Sequence, residues 1–376
     1  MKSQYTLVKS YYGLGGDLCV LLCALHYAQQ HQRALVVDWS GGRYGFVEQG
    51  NLFNEYFAEP VFLAPVDLPA QGLSVFPPVW VGRTHVPPLT YIDGIDLTLS
   101  RPEEVPIDCD ADCVVITRDS RLLHQRPMDY VSIARSLRPV PRIQTCIDAQ
   151  VQRLRSAKHS IGIHFRHGNG ERKVIAPDPR WFRNRINGCM KTLGLDPEEV
   201  TLYVATDCEG TLEYFRRHYR NTIDLPKSYR PNGGGALHIN RTEMTTAEKM
   251  QMADEALVDM YVLSHCNSFF GSRGFFSLFV RLLRGSADSI FYRGTRVFDN
   301  YTFTDAFYPV ERDRLLAPVL KRARQPFDGL FVHLKPDGRH IYYYDEPLHL
   351  ISVGKTELTN VEDLTFRKAV AARRTY

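Results

Sequence analysis

The sequence predicts an α/β protein with two doubly wound halves. Three observations support this fold class: short apolar runs alternate with helical patterns, the apolar runs lack the in–out alternation of a half-exposed sheet, and glycine-rich or polar segments follow the strands. Uninterrupted apolar strands are typical of parallel sheets that helices cover on both faces. In such folds, ligands bind beyond the carboxyl ends of the strands.

The first half of the chain begins with a βαβ unit. Its parts are a strand over Tyr5–Val8, a glycine turn over Gly13–Asp17, a helix over Leu18–Gln30 and a strand over Ala34–Trp39. The proline-dense region from Asn51 to Pro106 is predicted to lack long helices and to carry binding surface. A strand over Cys113–Thr117 and a helix over Ile143–Ala157 follow.

The second half repeats the alternation and predicts another doubly wound sheet. Strands are expected at 161–166, 201–206, 222–225, 267–271 and 289–292, and helices at 180–193, 209–219, 246–264 and 276–284. Beyond residue 300 the pattern changes to a β-hairpin, Phe331–Leu334 with Arg339–Tyr344, and a further strand over Leu348–Val353. The predicted domains are therefore residues 1–150, 151–300 and 301–376.

Composition excludes several protein classes. The chain has 376 residues, of which 44% are hydrophobic, and a net charge of +4, which is too small to indicate a nucleic-acid partner. The apolar window Leu18–Leu25 is too short to span a bilayer, and no long apolar stretch follows a basic start, so we expect a cytoplasmic protein. Cysteines spaced four apart, such as Cys19 and Cys23, differ from zinc knuckles and are expected to be buried thiols.

The segment from Ser160 to Glu171 is the most informative part of the chain, because a strand leads directly into a dense polar cluster. Arg166 can form a bidentate contact with a phosphate. His167 can donate to a phosphate or a sugar oxygen. Asn169, with the amide of Gly170, can complete an anion-binding nest.

His164 in the same segment has two possible roles. Strand alternation places it on the face that carries Arg166, which favours a place in the site. The alternative is a structural role in which His164 holds the loop through a backbone contact.

Other strand and helix ends supply further candidates. Asp207 follows the 201–206 strand, with a helix N-cap as the alternative. Asp259 lies at the edge of an apolar helical stripe, where a carboxylate needs a partner such as the ring amines of guanine or an internal arginine. Phe276 and Ser277 begin a helix whose amides and hydroxyls can bind a phosphate.

The first half contains weaker signals. Gly13, Gly15 and Gly16 do not form the GxGxxG pattern of dinucleotide-binding proteins, but they permit close approach of the backbone to a phosphate or an acceptor. Asp108 and Asp110 begin a DxDxD run that resembles a metal-binding DxD motif. Because this run precedes a strand within a proline-rich loop, a solvated turn is the favoured interpretation, and no metal is expected.

Several of these motifs resemble those of a known family. The run from Ile161 to Glu171 is similar to the first signature of the NodZ-type rhizobial fucosyltransferases, and its HxR element resembles that of α-1,6 and protein O-fucosyltransferases. Ala256–Leu263 and Phe276–Leu283 resemble later motifs of the family. Its N-terminal part is matched by Gly15, Gly16, Asp17, Asp38 and Arg43.

The resemblance covers about residues 5 to 293 and implies a GT-B-like fold, with two Rossmann-like domains facing across a cleft and a small C-terminal β extension. The domain over 1–150 is then the acceptor side, and 151–300 binds the nucleotide sugar. The implied reaction is an inverting, metal-independent transfer of fucose from GDP-β-L-fucose to a glycan hydroxyl, α-1,6 to GlcNAc. No cofactor is implied.

The resemblance also assigns roles. Arg166 stabilises the leaving group, Glu171 is the candidate base, and Asn169, Gly170 and Asp259 hold the nucleotide. The acceptor site is expected in the loops that carry the residues Arg43, Trp80 and Tyr91. Two alternatives stay open, a GT-B transferase with another nucleotide sugar and a non-catalytic sugar-nucleotide or glycan-binding relative.

Overall fold

The computed structural model describes fourteen segments of the chain, and every structural statement below concerns those residues: 4–9, 12–40, 52–60, 62–69, 72–86, 101–167, 179–228, 230, 244–272, 274–285, 290–291, 331–334, 340–345 and 349–355.

The first half is built on a parallel sheet with the strand order β2-β1-β5-β4. Its strands are β1 (Tyr5–Lys9), β2 (Ala34–Asp38), β4 (Val75–Phe76) and β5 (Cys113–Ile116). Every residue of β5 is buried, as the apolar run without alternation predicted. The order reverses between β1 and β5, which creates a crevice at their carboxyl ends.

Helix α1 (Leu14–Gln30) covers one face of this sheet and corrects one prediction. The sequence indicated a glycine turn over 13–17, but the helix begins at Leu14, so that Gly15 and Gly16 lie in its first turn. Glycine is a poor helix former in isolation. Tertiary packing, described below, explains why these two positions are nevertheless helical.

Short elements fill the rest of the first half, in agreement with its proline content. They are α2 (Phe53–Tyr56), β3 (Phe57–Glu59), α3 (Arg121–Gln125), α4 (Val131–Ser136) and β6 (Arg138–Pro139), followed by the longer α5 (Pro141–Leu154). Strand β3 pairs antiparallel with β6. Proline at the first position of α5 has no amide hydrogen to leave unsatisfied there, which suits a helix start.

The second half contains a five-stranded parallel sheet with the order β11-β10-β7-β8-β9. Its strands are β7 (His159–Phe165), β8 (Val200–Thr206), β9 (Thr222–Ile223), β10 (Ser268–Gly271) and β11 (Ile290–Phe291). Its helices are α6 (Pro179–Leu193), α7 (Glu209–His218), α8 (Thr246–His265) and α9 (Phe275–Arg284). The predicted alternation of strands and helices is therefore confirmed.

The two faces of this sheet pack against different helices. Odd residues of β7, such as Ile161 and Ile163, share a hydrophobic cluster with α6 and α7. Even residues face the other side, where a Cβ added at Gly162 would come within 2.9 Å of Leu263 on α8 and of Cys266, the C-cap residue of that helix. Glycine at this position therefore allows α8 to lie directly on the sheet.

Helix α9 connects the two halves. It packs against α1 and α4, and Arg135 of α4 donates from Nε to the carbonyl oxygen of Leu283 at 2.8 Å. One continuous hydrophobic cluster includes residues from α1, β5, α8 and α9. The first turns of α1 and α9 consequently lie in contact.

The C-terminal strands form a separate antiparallel sheet. They are β12 (Phe331–Leu334), β13 (His340–Asp345) and β14 (His349–Lys355), in the order β12-β13-β14. The predicted hairpin and additional strand are confirmed.

No helix within the described ranges combines the length and hydropathy needed to cross a membrane.

Candidate active site

The strand order of the second sheet indicates where a ligand binds. Chain connections run from β7 toward β8 and β9 on one side, and β10 and β11 lie on the other. The order therefore reverses between β7 and β10, and the crevice at such a switch point is the usual ligand site of open α/β sheets. Arg166 follows β7 directly, and Ser272 follows β10.

Two hydrogen bonds hold the ends of these strands together. The Ser272 amide donates to the carbonyl oxygen of His164 at 2.7 Å, and the Ser272 hydroxyl accepts from the Arg166 amide at 3.0 Å. The main chain at Arg166 is thereby fixed to the segment that leads into α9. The backbone that carries Arg166 is therefore held by both strands that border the crevice.

His164 fastens β7 to the first turn of α9. Its Nδ1 lies 2.6 Å from the Ser277 hydroxyl oxygen, and its ring stacks on Phe276 with centroids 4.1 Å apart. A Cβ added at Gly271 would lie 2.6 Å from that hydroxyl, so glycine makes room for the contact. The structural role predicted as one alternative for His164 is present, but its partners are side chains rather than the backbone.

The charge state of His164 follows from its surroundings. Burial, together with the positive charges of Arg166 and Lys227, lowers its pKa to about 3. The imidazole is therefore neutral at physiological pH, and two cations lie near it.

His167 lies on the opposite face and is buried. Its amide donates to Oδ1 of Asp207 at 2.7 Å, which ties the loop after β7 to the loop after β8. Cys208, and not Asp207, is the N-cap residue of α7, so the N-cap alternative for Asp207 is wrong. Burial raises the pKa of the Cys208 thiol, but contacts with His167 and Thr211 outweigh it and leave that pKa below its ordinary value.

Asp259 has two internal partners on the α8 side of the sheet. Its Oδ1 accepts from the Tyr203 hydroxyl at 2.6 Å, and its Oδ2 accepts from the Lys227 ammonium at 2.5 Å. The internal partners of Asp259 are thus a lysine and a tyrosine, and not the arginine that the sequence analysis considered. Burial, and then the negative charge of Asp259, raise the pKa of Tyr203 well above its ordinary value, so Tyr203 stays a donor.

Lys227 was not recognised from the sequence. It lies in a loop after a two-residue strand, belongs to no motif, and is 32 residues away from Asp259 along the chain. The available signal was indirect: a carboxylate at the edge of an apolar helical stripe requires a partner.

The first half contributes the beginning of α1. A Cβ added at Gly15 would lie 2.8 Å from the amide nitrogen and 3.1 Å from the Cα of Phe276. One added at Gly16 would lie 2.6 Å from Cβ of Tyr12. Glycine therefore permits a close approach to α9 at Gly15 and to Tyr12 at Gly16. The approach of a phosphate or an acceptor to these glycines stays a prediction.

The predicted carboxylates of the first half are engaged within the protein. Oδ1 of Asp17 accepts from the Tyr12 amide at 2.6 Å. Asp38 forms a buried ion pair with Lys9 and accepts from the Ser40 amide at 3.1 Å. Lys9 also donates to the carbonyl oxygen of Val86 at 2.9 Å.

Trp80 serves the core rather than presenting an open aromatic face. Its side chain is 1% exposed and packs with Leu7, Val36 and Val115. The Lys9 ammonium lies 5.5 Å from its ring centroid. The Trp80 ring, expected at the acceptor site, is therefore buried in the core.

The aspartates of the DxDxD run lie at the opposite edge of the first sheet. They precede β5, and the Asp112 carbonyl accepts from the Tyr5 amide at the amino-terminal edge. Asp112 is buried and accepts from the Ser74 amide at 3.0 Å, whereas Asp108 and Asp110 are exposed. No group of three or more His, Cys, Asp or Glu side chains within the described ranges has the arrangement of a metal site.

Five of the predicted residues lie outside the described part of the chain. They are Arg43, Tyr91, Asn169, Gly170 and Glu171. The buried thiols predicted for Cys19 and Cys23 are confirmed: burial raises the pKa of both.

Comparison with known proteins identifies relatives of this chain. The family model described as nodulation protein Z (NodZ) matches residues 105–291, which includes β7, β8, β10 and the segment around Arg166. Nodulation protein Z of Sinorhizobium fredii is 26% identical over 293 residues, covering 71% of this chain and 86% of the relative. The protein of the same name from Bradyrhizobium diazoefficiens is 27% identical over 283 residues, covering 68% of this chain and 72% of the relative.

Solved structures agree in fold. The crystal structure of NodZ alpha-1,6-fucosyltransferase soaked with GDP-fucose matches with a TM-score of 0.56 and 23% identity, covering 75% of this chain and 93% of that one. The fucosyltransferase NodZ from Bradyrhizobium matches with a TM-score of 0.54 and 24% identity, covering 76% and 93%. The resemblance inferred from the motif around Arg166 is confirmed: the chain is similar in sequence to nodulation protein Z and similar in fold to the NodZ structures.

Proposed function

We propose that this chain is a fucosyltransferase that uses GDP-β-L-fucose, inverts the anomeric centre and requires no metal. The acceptor is a glycan hydroxyl, with α-1,6 transfer to GlcNAc of an oligosaccharide as the specific proposal. The observation that carries the proposal is the position of Arg166, at the switch point of a parallel sheet and beside the N-terminus of α9.

The donor occupies the crevice between the carboxyl ends of the two parallel sheets. Support comes from the contact between Gly15 of α1 and Phe276 of α9, because both helices begin just after strands of different sheets. The proposed domains are 1–150 on the acceptor side, 151–300 on the donor side, and 301–376 as a β extension. Solved relatives include a NodZ crystal structure soaked with GDP-fucose.

In the proposed reaction the acceptor oxygen attacks the anomeric carbon as the bond to the β-phosphate oxygen breaks. Negative charge develops on the departing GDP while the sugar becomes oxocarbenium-like. The Arg166 guanidinium stabilises that charge, with the amides of the first turn of α9 nearby. Removing one preorganised donor of this kind costs roughly 2.7–4 kcal/mol of barrier.

The remaining site residues are assigned around Arg166. His167, held by Asp207, is proposed to donate to a phosphate or sugar oxygen. Ser277 and Phe276 hold His164, which burial keeps neutral, in place, and this contact is proposed to orient β7 beneath the phosphates.

Three further roles rest on the sequence alone. Asn169 and Gly170 are proposed to hold the nucleotide, and Glu171 is proposed as the base that removes the acceptor proton. Asp259 is proposed to recognise the guanine base, in competition with its internal partners Lys227 and Tyr203.

Metal independence is proposed from the position of the acidic residues. Asp108 and Asp110 lie at the amino-terminal edge of their sheet, opposite the crevice, and Asp112 is engaged by Ser74. A positively charged side chain at the crevice then stabilises the negative charge of the leaving group, which a divalent ion stabilises in DxD enzymes.

Thermal denaturation with a panel of nucleotides tests the donor assignment. A ligand at a hundred times its Kd stabilises the folded protein by about 2.7 kcal/mol. GDP should raise the melting temperature, whereas UDP and NAD should not. Stabilisation by UDP alone would overturn the GDP-sugar assignment in favour of another nucleotide-sugar transferase.

Turnover separates an enzyme from a binding protein. The chain should release GDP slowly from GDP-fucose in water and faster with chitooligosaccharides as acceptors. Binding of GDP-fucose without release of GDP under any acceptor condition would contradict the transferase assignment. Labelled donor with a panel of bacterial glycans identifies the acceptor.

A further inference from the structure

We propose that His124, oriented by Asp119, binds the acceptor sugar. Its Nδ1 accepts a hydrogen bond from a hydroxyl of that sugar, and the neighbouring rings of Tyr12 and Phe275 pack against the apolar face of the same ring. The inference rests on the proposed function, because it concerns the glycan that receives fucose.

The His124 side chain forms a dyad with a buried carboxylate. Its Nε2 lies 2.7 Å from Oδ2 of Asp119, and the Asp119 side chain is 8% exposed whereas that of His124 is 51% exposed. Because a carboxylate only accepts hydrogen bonds, Nε2 carries the hydrogen, and the neutral imidazole keeps a lone pair at Nδ1. No second residue of the described ranges hydrogen-bonds to this imidazole. Nδ1 is therefore an oriented acceptor on an exposed side chain.

The backbone that carries the dyad is fixed to its surroundings. The carbonyl oxygen of Asp119 accepts from Nη1 of Arg101 at 2.6 Å. The Ser120 amide donates to the Cys23 sulfur of α1 at 3.2 Å, and the Ser120 hydroxyl is the N-cap acceptor of α3. Because Asp119 also holds the imidazole, the ring gives up little conformational freedom when it contacts a ligand.

The dyad lies at the crevice of the first sheet. Strand β5 ends at Ile116, shortly before Asp119, and β5 borders β1 where the strand order reverses. The ring centroid of Phe275 lies 5.9 Å from that of His124. It also lies 5.9 Å from that of Tyr12, which follows β1. Ring side chains from the segments after β1, β5 and β10 therefore meet at one place.

The chemistry of this cluster suits a sugar ring. Tyr12 and Phe275 are partly exposed, and aromatic rings pack well against an apolar CH face. A neutral Nδ1 can only accept a hydrogen bond, so its ligand must supply the hydrogen. A hydroxyl does so, whereas an ionised phosphate or carboxylate does not. A sugar offers both hydroxyls and an apolar face, while the phosphates of the donor suit Arg166.

One short segment connects this cluster to Arg166. Ser272, whose hydroxyl accepts from the Arg166 amide at 3.0 Å, precedes Phe275 by three residues. Three extended residues span at most about 11 Å, so the two ends of the segment lie in one region of the crevice. The acceptor bound at His124 and the leaving group bound at Arg166 then approach the transferred fucose from the two sheets.

Acceptor kinetics of His124→Gln test the inference. Glutamine can still donate from its Nε2 to Asp119, but it has no acceptor at the position of Nδ1. The KM for chitooligosaccharides should rise by about threefold to tenfold, because one hydrogen bond to the acceptor is lost. The release of GDP from GDP-fucose in water and the affinity for GDP should stay at the wild-type values. An unchanged acceptor KM, or an equal loss of GDP release in water, would overturn the inference.

Asp119→Asn tests the positioning role of the carboxylate. An asparagine amide no longer forces the hydrogen onto Nε2 of His124, so the lone pair at Nδ1 is not assured. This variant should raise the acceptor KM and leave GDP release in water unchanged. A loss of both activities would show that Asp119 only supports the fold.

His31→Gln is the matched control. His31 is the exposed C-cap residue of α1 and precedes β2, at the amino-terminal edge of the same sheet. The substitution is identical and lies in the same half of the chain, but on the side away from the crevice. Its acceptor KM should equal that of the wild type. A rise equal to that of His124→Gln would attribute the effect to the substitution in general and contradict a contact at His124.

Deoxy acceptors identify the contact in the wild-type protein itself. Chitooligosaccharides that lack one hydroxyl other than the attacked one are compared in the wild type and in His124→Gln. One derivative should have a raised KM with the wild type and no additional rise with His124→Gln, because the same hydrogen bond is removed in both cases. Equal rises in the two proteins for every derivative would mean that no hydroxyl contacts His124.

Failure of the inference and failure of the proposed function give different results. A wild type that transfers fucose, together with a His124→Gln variant of unchanged acceptor KM, refutes only the role of His124. A wild type that neither transfers fucose nor releases GDP from GDP-fucose refutes both.

Discussion

The contact between the first turns of α1 and α9 makes a quantitative prediction for Gly15→Ala. The new Cβ would lie 2.8 Å from the Phe276 nitrogen, 3.1 Å from its Cα and 3.2 Å from the Phe275 carbonyl carbon. All three are backbone atoms, so no side-chain rotation relieves the clash. Ordinary contact between such atoms begins near 3.5 Å, so one helix must move by roughly 0.7 Å.

The energetic cost follows from two opposing effects. Overpacking of this kind destabilises a protein by about 1–3 kcal/mol. Alanine recovers up to about 1 kcal/mol as the better helix former. We therefore expect Gly15→Ala to lower the free energy of unfolding by about 1–2 kcal/mol. Because Phe276 and Ser277 hold His164, displacement of α9 should also reduce turnover.

Urea denaturation followed by circular dichroism measures the effect, with Gly188→Ala as the control. Gly188 lies exposed within α6, and a Cβ there has nothing within 4 Å. That variant should gain about 0.5–1 kcal/mol of stability from helix propensity alone. If Gly15→Ala is stabilised in the same way, the two helices are not in the contact described.

Two further predictions concern the buried histidine and the acidic run. The folded-state pKa of His164 is lowered to about 3, so between pH 6.5 and 3 the unfolded chain binds a proton that the folded chain does not. The free energy of unfolding therefore decreases as the pH is lowered through that window. By pH 5 the wild type should lose about 2 kcal/mol relative to His164→Gln, and a pH-independent difference between their urea midpoints would contradict a buried neutral imidazole. Asp108→Asn and Asp110→Asn should transfer fucose at the wild-type rate in the presence of EDTA, and loss of activity on chelation would instead point to a metal-dependent enzyme.

The strand ends were predictable from sequence because hydrophobic periodicity reports directly on a covered parallel sheet. Strand β7 and the polar cluster after it illustrate this, since the order of apolar and polar residues placed Arg166 at a carboxyl end. The start of α8 also follows a local pattern, because Thr245 and Glu248 have the spacing of a capping box, and the Thr245 hydroxyl accepts from the Glu248 amide at 3.3 Å.

The missed features depend on contacts between distant parts of the chain. Helix α1 includes Gly15 because α9 presses against it, although isolated glycines indicate a turn. The partner of Asp259 comes from a loop that carries no periodicity. His164 bonds to Ser277, 113 residues away, and no local pattern encodes that pairing.

The most direct test of the central claim is the rate of GDP release from GDP-fucose by Arg166→Ala, compared with Arg217→Ala. Arg217 lies on the exposed face of α7 and pairs only with Glu213 within the described residues, so its loss should leave the rate unchanged. Arg166→Ala should lose about two to three orders of magnitude in rate, with a smaller loss of GDP affinity. Equal rates for the two variants would contradict the assignment of leaving-group stabilisation to Arg166.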